Sequence, residues 1–309
     1  MKILITGGAG FIASQIADAY LSDGHEVAII DDLETGYQDN VPVQAKFYRC
    51  DIRDNQRVAQ IFDEFRPEVV SHHAAQLDVR KAVTDPAYDA DINILGSLNV
   101  LLHANRVGTK RFIFASSGGA CYGEPQQIPV PETHPSQPES PYGLTKFAFE
   151  QYLRIWHKLH GIVPVVLRYA NVYGPRQTAH GEAGVVAIFA GLLLKNQPCK
   201  IFGDGSMTRD YVFVGDVVEA NRAALTRGDG AVVNIGTGIE TSTREVFDAV
   251  YAAVQSGPTE PELLPERPGE VHNICLDNSL AKNVLDWEPK VVFRDGVRQT
   301  VEWQIRQQK

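Results

Sequence analysis

A short run of β-forming residues, Lys2 to Thr6, breaks directly into Gly7-Gly8-Ala9-Gly10-Phe11-Ile12-Ala13, and this junction restricts the fold more than any other stretch. Ile12, Ile16, Ala19 and Tyr20 then recur at helical spacing until Ser22-Asp23-Gly24 ends the pattern. Val27-Ala28-Ile29-Ile30 follows as a second strand and closes on Asp31-Asp32. Strand, glycine turn, helix, strand and acid in close succession make a glycine string into a dinucleotide signal. Gly7 and Gly10 permit a tight turn and let backbone approach a pyrophosphate, whose charge the helix N-terminus favours. Ala13 stands where a third glycine often sits and still allows close helix–strand packing. Asp31 is placed to accept from adenosine ribose hydroxyls. Its charge repels a 2′-phosphate, so the expected cofactor is NAD rather than NADP.

The alternation continues through the first half. Residues 47–52 read as a strand ending in Asp51, a partner for the adenine amino group or a turn or helix-cap residue. Residues 67–73 form a fourth strand, after which Ala74-Ala75-Gln76 lets backbone lie against a cofactor. His72 and His73 are adjacent, so on a strand they point to opposite faces, which argues against a metal pair. Residues 85–107 read as one long helix carrying Asn93 and Asn99. Residues 111–115 are a fifth strand leading into Ser116-Ser117-Gly118-Gly119-Ala120-Cys121-Tyr122-Gly123. This order predicts an α/β fold: a Rossmann-type, doubly wound parallel sheet with a smaller C-terminal substrate-binding α/β region. Ligands bind at the carboxyl ends of such strands, where Asp31, Asp51, Ser116 and Ser117 should converge.

Ser140-Pro141-Tyr142-Gly143-Leu144-Thr145-Lys146 opens another helical pattern, continued by Phe147, Phe149, Tyr152, Leu153, Ile155 and Trp156. Ser140 suits the cap and Pro141 the first turn. Tyr142 and Lys146, four apart, share a helix face with Cβ atoms about 5–6 Å apart. A free phenol titrates at ~10 in water, and an ammonium plus a cationic cofactor ring would make it a usable base. By itself this spacing arises by chance on many amphipathic helices.

Composition excludes several classes. The net charge of −9 comes with no long Lys/Arg run, so no nucleic-acid partner is expected. Apolar runs are too short to cross a bilayer, and the N-terminus lacks signal-peptide features. Cys50, Cys121, Cys199 and Cys275 are scattered without metal-ligand spacing, and read as free thiols of a reducing cytoplasm.

Further motifs follow the Tyr-x-x-x-Lys stretch. They are Leu167-Arg168-Tyr169-Ala170-Asn171-Val172-Tyr173-Gly174-Pro175-Arg176 and Gly203-Asp204-Gly205-x-x-x-Arg209-Asp210-Tyr211. With Thr6 to Ile12, Asp31-Asp32-Leu33, the serine loop ending Tyr122-Gly123, and Tyr142-x-x-x-Lys146, they occur in the order of the extended short-chain dehydrogenase/reductases. The resemblance spans essentially the whole chain, and within that family it is most similar to the UDP-glucose (UDP-galactose) 4-epimerases of the shorter prokaryotic kind. It implies an isomerase of nucleotide-sugar and galactose metabolism that oxidises a UDP-hexose transiently at C4. Tyr142 as phenolate takes the 4-hydroxyl proton while hydride moves to NAD; the 4-keto sugar turns over, and hydride returns to its other face. Lys146 positions the nicotinamide ribose and lowers the tyrosine pKa.

By resemblance the cofactor set comprises Gly7, Gly10, Phe11, Ile12, Asp31, Asp32, Asp51, Ile52, Ala74, Ala75, Gln76, Asn93, Ser116, Tyr142, Lys146 and Tyr169. The substrate set comprises Ser117, Tyr142, Asn171, Val185, Val186, Arg209 and Arg267, the arginine forks suiting diphosphate oxygens. The helix of residues 182–194 should start beneath the uridine, and Tyr169 should pack on the nicotinamide. Many epimerases carry a catalytic Ser or Thr four residues before the loop tyrosine, which here is Gly118. Ser117 is the expected proton relay in its place, with direct transfer between Tyr142 and the sugar as the rival.

Neighbouring activities are set aside on residues. Gly119-Ala120 offers no carboxylate of the kind that dehydratases and decarboxylating relatives carry. Pro175-Arg176-Gln177 leads to Thr178-Ala179-His180 instead of an early basic residue for a uronate, and His180 reads as a solvent-facing loop histidine. Ile274 aligns near the guard of the sugar 2-position and leaves acetamido sugars open. The alternatives are a UDP-GlcNAc or UDP-glucuronate 4-epimerase, or another NAD-dependent nucleotide-sugar oxidoreductase. From another class stands an inactive dinucleotide-binding regulator, against which intact Tyr142 and Lys146 argue. Residues 1–170, with a returning segment near 212–236, form the expected cofactor domain, and 171–309 mainly the nucleotide-sugar domain. Short strands are expected over 211–214 and 232–235, and packing helices over 243–254, 280–285 and 297–305. A homodimer through 85–107 and 142–160 follows by resemblance.

Overall fold

Runs of buried aliphatic residues build the centre of the molecule. The computed structural model describes residues 1–178, 184–266 and 271–307. The chain opens with β1 (Lys2–Thr6), α1 (Phe11–Ser22), β2 (Glu26–Asp31), β3 (Lys46–Arg49), α2 (Asn55–Phe65) and β4 (Val69–His72). Short α3 (Val79–Thr84) and α4 (Pro86–Ala90) follow, then a π-helical turn over Asp91–Gly96, α5 (Ser97–Val107), β5 (Arg111–Ser117) and α6 (Gly118–Cys121). Next come α7 (Pro141–His160), β6 (Val163–Tyr169), β7 (Asn171–Tyr173), α8 (Val185–Leu194), β8 (Lys200–Phe202), β9 (Thr208–Phe213), α9 (Val214–Ala224) and β10 (Val232–Ile235). The chain then runs through β11 (Glu240–Ser242), α10 (Thr243–Val254), β12 (Glu262–Leu264), α11 (Ser279–Leu285) and α12 (Phe293–Gln307).

Seven strands pair in the order β10-β6-β5-β4-β1-β2-β3, all parallel. Successive residues of β1 enter opposite layers: Ile3 and Ile5 pack with Ile16 and Val27 on one face, Leu4 with Phe62 and Phe112 on the other. The chain reverses its direction of travel through the sheet between β1 and β4, which opens a crevice at their carboxyl ends. As expected, β10 returns to this sheet beside β6. The second half adds small sheets, β11-β9-β7 and β12-β8, over a third core in which Tyr173, Phe189, Phe247 and Val301 meet. No helix among the described residues is long and apolar enough to cross a membrane.

Several boundaries differ from expectation for local reasons. β3 stops at Arg49 because Asp51 Oδ1 accepts the Arg53 N–H (2.8 Å) and Asp54 caps α2 through the Arg57 N–H. The helix expected over 85–107 begins at Pro86, which has no N–H to give, under an Asp85 side chain that accepts from Tyr88. Its middle is π-helical rather than α. β5 runs two residues further, through Ser116 and Ser117. β9 spans Thr208–Phe213, so Val214 opens α9 instead of closing a strand.

Candidate active site

A cleft of about 430 Å³ lies at the carboxyl ends of β1, β2, β4 and β5. Every cofactor residue named from the sequence lines it except Asn93. Its floor is the turn between β1 and α1. Gly7 holds φ +72°, and a Cβ there would sit 2.7 Å from the Ala74 nitrogen, so only glycine fits. Gly10 caps α1 without a side-chain bond, and the first turn of α1 holds no acid, which leaves its dipole and N–H groups for an anion. The bare Gly7 cradle fits a dinucleotide pyrophosphate.

Asp31 secures the same turn. Its carboxylate accepts the Ala9 N–H at 3.0 Å and the Leu33 N–H at 2.8 Å, while burial raises its pKa. Exposed Asp32 accepts from the Glu34 N–H. Asp51 lines the cleft but is gripped by the Arg53 guanidinium, which itself reaches Asp91 at 3.1 Å. Burial would raise the Asp51 pKa, and the Arg53 hydrogen bonds and charge more than offset this and lower it. The turn role is therefore the one seen.

The opposite wall belongs to α7. Ser140 accepts the Gly143 N–H at 3.1 Å and Pro141 takes the first turn, as its sequence predicts. The side chains of Tyr142 and Lys146 then share one face: the Lys146 ammonium lies 5.8 Å from the Tyr142 ring centroid and 4.9 Å from that of Phe114. Lys146 Nζ donates to the Ala115 carbonyl at 3.0 Å, and burial lowers its pKa to about 8. The protein's own groups move Tyr142 the other way from expectation. Burial raises the phenol, Cys121 and Asp89 raise it further, and a hydrogen-bonding contact with Ser117 draws it back. The desolvation cost of a phenolate outweighs a lysine whose ammonium is engaged with a carbonyl.

The serine loop separates its two hydroxyls. Ser116 donates to Glu150 at 2.6 Å, inside a buried network where Arg168 pairs with Glu150 at 2.6 Å. Half-buried Ser117 faces Tyr142. A Cβ at Gly118 would come within 2.4 Å of Leu276 Cδ1, so Leu276 fills the space a hydroxyl side chain at that position would need.

The wall after β4 is set by hydrogen-bond direction. Thr6 Oγ1 accepts from the His73 and Ala74 amides and so gives its proton to His72 Nδ1, leaving His72 Nε2–H for Ser97. Burial holds His72 well below its ordinary pKa. His73 turns to the other face, stacking on Tyr169 with ring centroids 6.3 Å apart. Asn221 Nδ2 donates to the Tyr169 hydroxyl at 2.8 Å.

Asn93 lies beneath the cleft. Its amide oxygen accepts the Gln76 N–H and its nitrogen donates to the Gln76 carbonyl, both at 2.9 Å, so it shapes the wall without reaching the cavity. Beside it lies Asp89, fully buried and not singled out from the sequence. Its only signal was an acid four residues before Asn93, which no pattern distinguishes from a solvated helix acid.

The substrate set is more scattered. Asn171 is exposed on β7, and Val185 is half-buried at the start of α8. Val186 is corrected: helical rotation turns it wholly into the third core. Ile274 is likewise buried in the main core. Arg209 spends one guanidinium nitrogen on the carbonyls of Thr208 and His272, at 2.8 and 3.2 Å. The neighbouring Asp210 accepts from Thr237, Gly238 and Leu276 and ties three segments together. Arg267, His180 and Glu182 lie outside the described residues.

Comparison with known proteins agrees with this geometry. The model of the NAD dependent epimerase/dehydratase family matches residues 3–236. A UDP-glucose 4-epimerase of Mycolicibacterium smegmatis is 45% identical over 309 residues, covering 98% of each chain. The structure of UDP-glucose 4-epimerase from Thermotoga maritima with UDP-glucose superposes with a TM-score of 0.98 at 45% identity, covering 100% of both chains. That of the Thermus thermophilus UDP-glucose 4-epimerase with NAD gives 0.93 at 46% identity, over 98% of each. Fold, cleft and sequence together place the chain in the NAD dependent epimerase/dehydratase family, among the extended short-chain dehydrogenase/reductases.

Proposed function

We propose that the protein interconverts UDP-glucose and UDP-galactose, with NAD held in the β1–β4 crevice. The observation that carries this reading is that Tyr142 and Lys146 wall the same cleft as the Gly7 cradle and Asp31. When bound, NAD supplies the hydride acceptor and donor for C4 of the sugar. Gly7 and Gly10 would receive its pyrophosphate and Asp31 its adenosine ribose, with Tyr169 on the nicotinamide side of the cleft. Tyr142 as phenolate takes the 4-hydroxyl proton, becoming the phenol, and gives it back when hydride returns, with Ser117 relaying between phenol and sugar. Lys146 supports the nicotinamide ribose and adds positive charge beside the phenolate.

Arg209, Arg267 and Asn171 hold the diphosphate and sugar, and the start of α8 at Val185 lies under the uridine. Residues 1–170, with the return at 212–236, then serve the cofactor, and 171–309 mainly the nucleotide sugar. The chain works as a homodimer through α5 and α7, whose outer faces expose Leu102, Leu144, Ile155 and Leu159. Four buried, unpaired cysteines suit a reducing cytoplasm.

The test is parallel incubation with UDP-glucose, UDP-GlcNAc and UDP-glucuronate, scoring 4-epimers. UDP-galactose should form from UDP-glucose without net consumption of NAD. Stoichiometric use of added NAD would mark a dehydrogenase and overturn the reading.

A further inference from the structure

Asp89 is a fully buried carboxylate beside a proton-handling pair, with a hydrogen-bond set that spans three elements. Its Oδ1 accepts Gln76 Nε2 at 2.9 Å and Asn93 Nδ2 at 3.0 Å, and its Oδ2 accepts Thr145 Oγ1 at 2.8 Å. Gln76 belongs to the cleft wall after β4, Asn93 to the π-helical turn, and Thr145 to α7 between Tyr142 and Lys146. Three donors thus converge on one carboxylate, and a charge in a water-poor site is felt at long range.

We propose that Asp89 is a positioning residue of the reaction: its carboxylate fixes α7 through Thr145 and the cleft wall through Gln76, and sets a negative charge behind the face of α7 that carries Tyr142 and Lys146. This rests on the epimerase reading for its kinetic readout alone.

The charge acts on both partners in one direction. It raises the Tyr142 phenol, after burial and Cys121, and it works against the burial that lowers Lys146. Other titratable groups face the pair from each side. Cys121 lies on α6, Glu150 on α7, His72 and His73 at the end of β4, and Tyr169 at the end of β6. Of the carboxylates that act on Lys146, Glu150 is engaged by Arg168, whereas the donors on Asp89 are neutral. Asp89 thus works, after Cys121, against the burial that lowers Lys146, and the same charge makes the phenol more basic.

Asp89→Asn preserves shape and removes the charge. Both limbs of the kcat/KM profile should move to lower pH, by about one unit, whereas a purely structural role would lower activity and leave the limbs in place. On the NAD-loaded protein, ultraviolet difference titration against a Tyr142→Phe background should show the phenolate appearing at lower pH. That readout needs no sugar turnover, so it stands even if the epimerase reading fails. Thr145→Val retains the charge and cuts the link to α7. It should lower kcat roughly tenfold, the scale of a lost bond to a charged group, with limbs unmoved and Thr145→Ser restoring the rate. An unshifted Tyr142 titration in folded Asp89→Asn, or wild-type kcat in Thr145→Val, overturns the proposal; the second arm applies whether or not Asp89→Asn folds.

Discussion

At the scale of the residue, the proton chemistry turns on a half-buried Tyr142 that opens on the cleft and a buried Lys146 behind it. Tyr142→Phe should lower turnover by at least about 10²-fold, the usual contribution of a general base, while NAD binding persists. Ser117→Ala should lower kcat because it removes the hydroxyl that contacts Tyr142; full turnover in a steady-state assay would make direct transfer the route. Lys146 carries a stability signature as well. Its pKa is near 8 when folded against 10.5 for a free lysine, so the unfolded chain binds more protons between those values. The contribution of Lys146 to stability should therefore rise with pH over that window. Tyr142, raised above its ordinary 10.0, begins to oppose this only above pH 10. Because burial raises the pKa of all four thiols and so opposes this rise above pH 9, the test is the difference: in denaturant melts the stability of wild type relative to Lys146→Met should increase from pH 8 to pH 10. Gly7, Asp31 and the Tyr142–Lys146 pair were legible because their chemistry needs fixed spacings. Asp89 and Val186 were not, since which face of a helix is buried depends on partners far away in sequence.

At the scale of the element, α7 carries both proposed catalytic groups and is well specified at its start. Ser140 accepts from Gly143, Pro141 occupies the first turn, and Gly161 ends the helix in the left-handed conformation. Ser140→Ala should cost about 1 kcal/mol in chemical denaturation and leave the fold intact, since the helix is 20 residues long with Phe149 and Leu153 buried. These caps were readable from the sequence because they are local. The π-helical turn at Asp91–Gly96 was not, because an extra residue in one turn barely disturbs helical apolar spacing. The same limit hid the true end of β3, where a side chain–backbone bond at Asp51 replaces the strand ladder.

At the scale of the whole molecule, α1 joins the first half of the chain to the second. Gln15 Nε2 on α1 donates to the Pro175 carbonyl at 2.8 Å, Arg176 pairs with Asp18 at 2.7 Å, and Tyr20 donates to the Asn221 carbonyl at 3.1 Å. The parallel sheet was legible because its strands alternate with long amphipathic helices. The second half was less so: β7, β8, β11 and β12 have three residues each, too few for periodicity to register. Apolar residues left exposed along α5 and α7 account for the proposed dimer, so Leu102→Glu combined with Leu159→Glu should yield monomers in analytical ultracentrifugation.

The central claim, reversible oxidation at C4 within one cleft, is tested most directly with UDP-galactose deuterated at C4. The account predicts UDP-glucose that retains the deuterium at C4, with no net NADH. Loss of the label to solvent, or NADH formed in proportion to product, would contradict it.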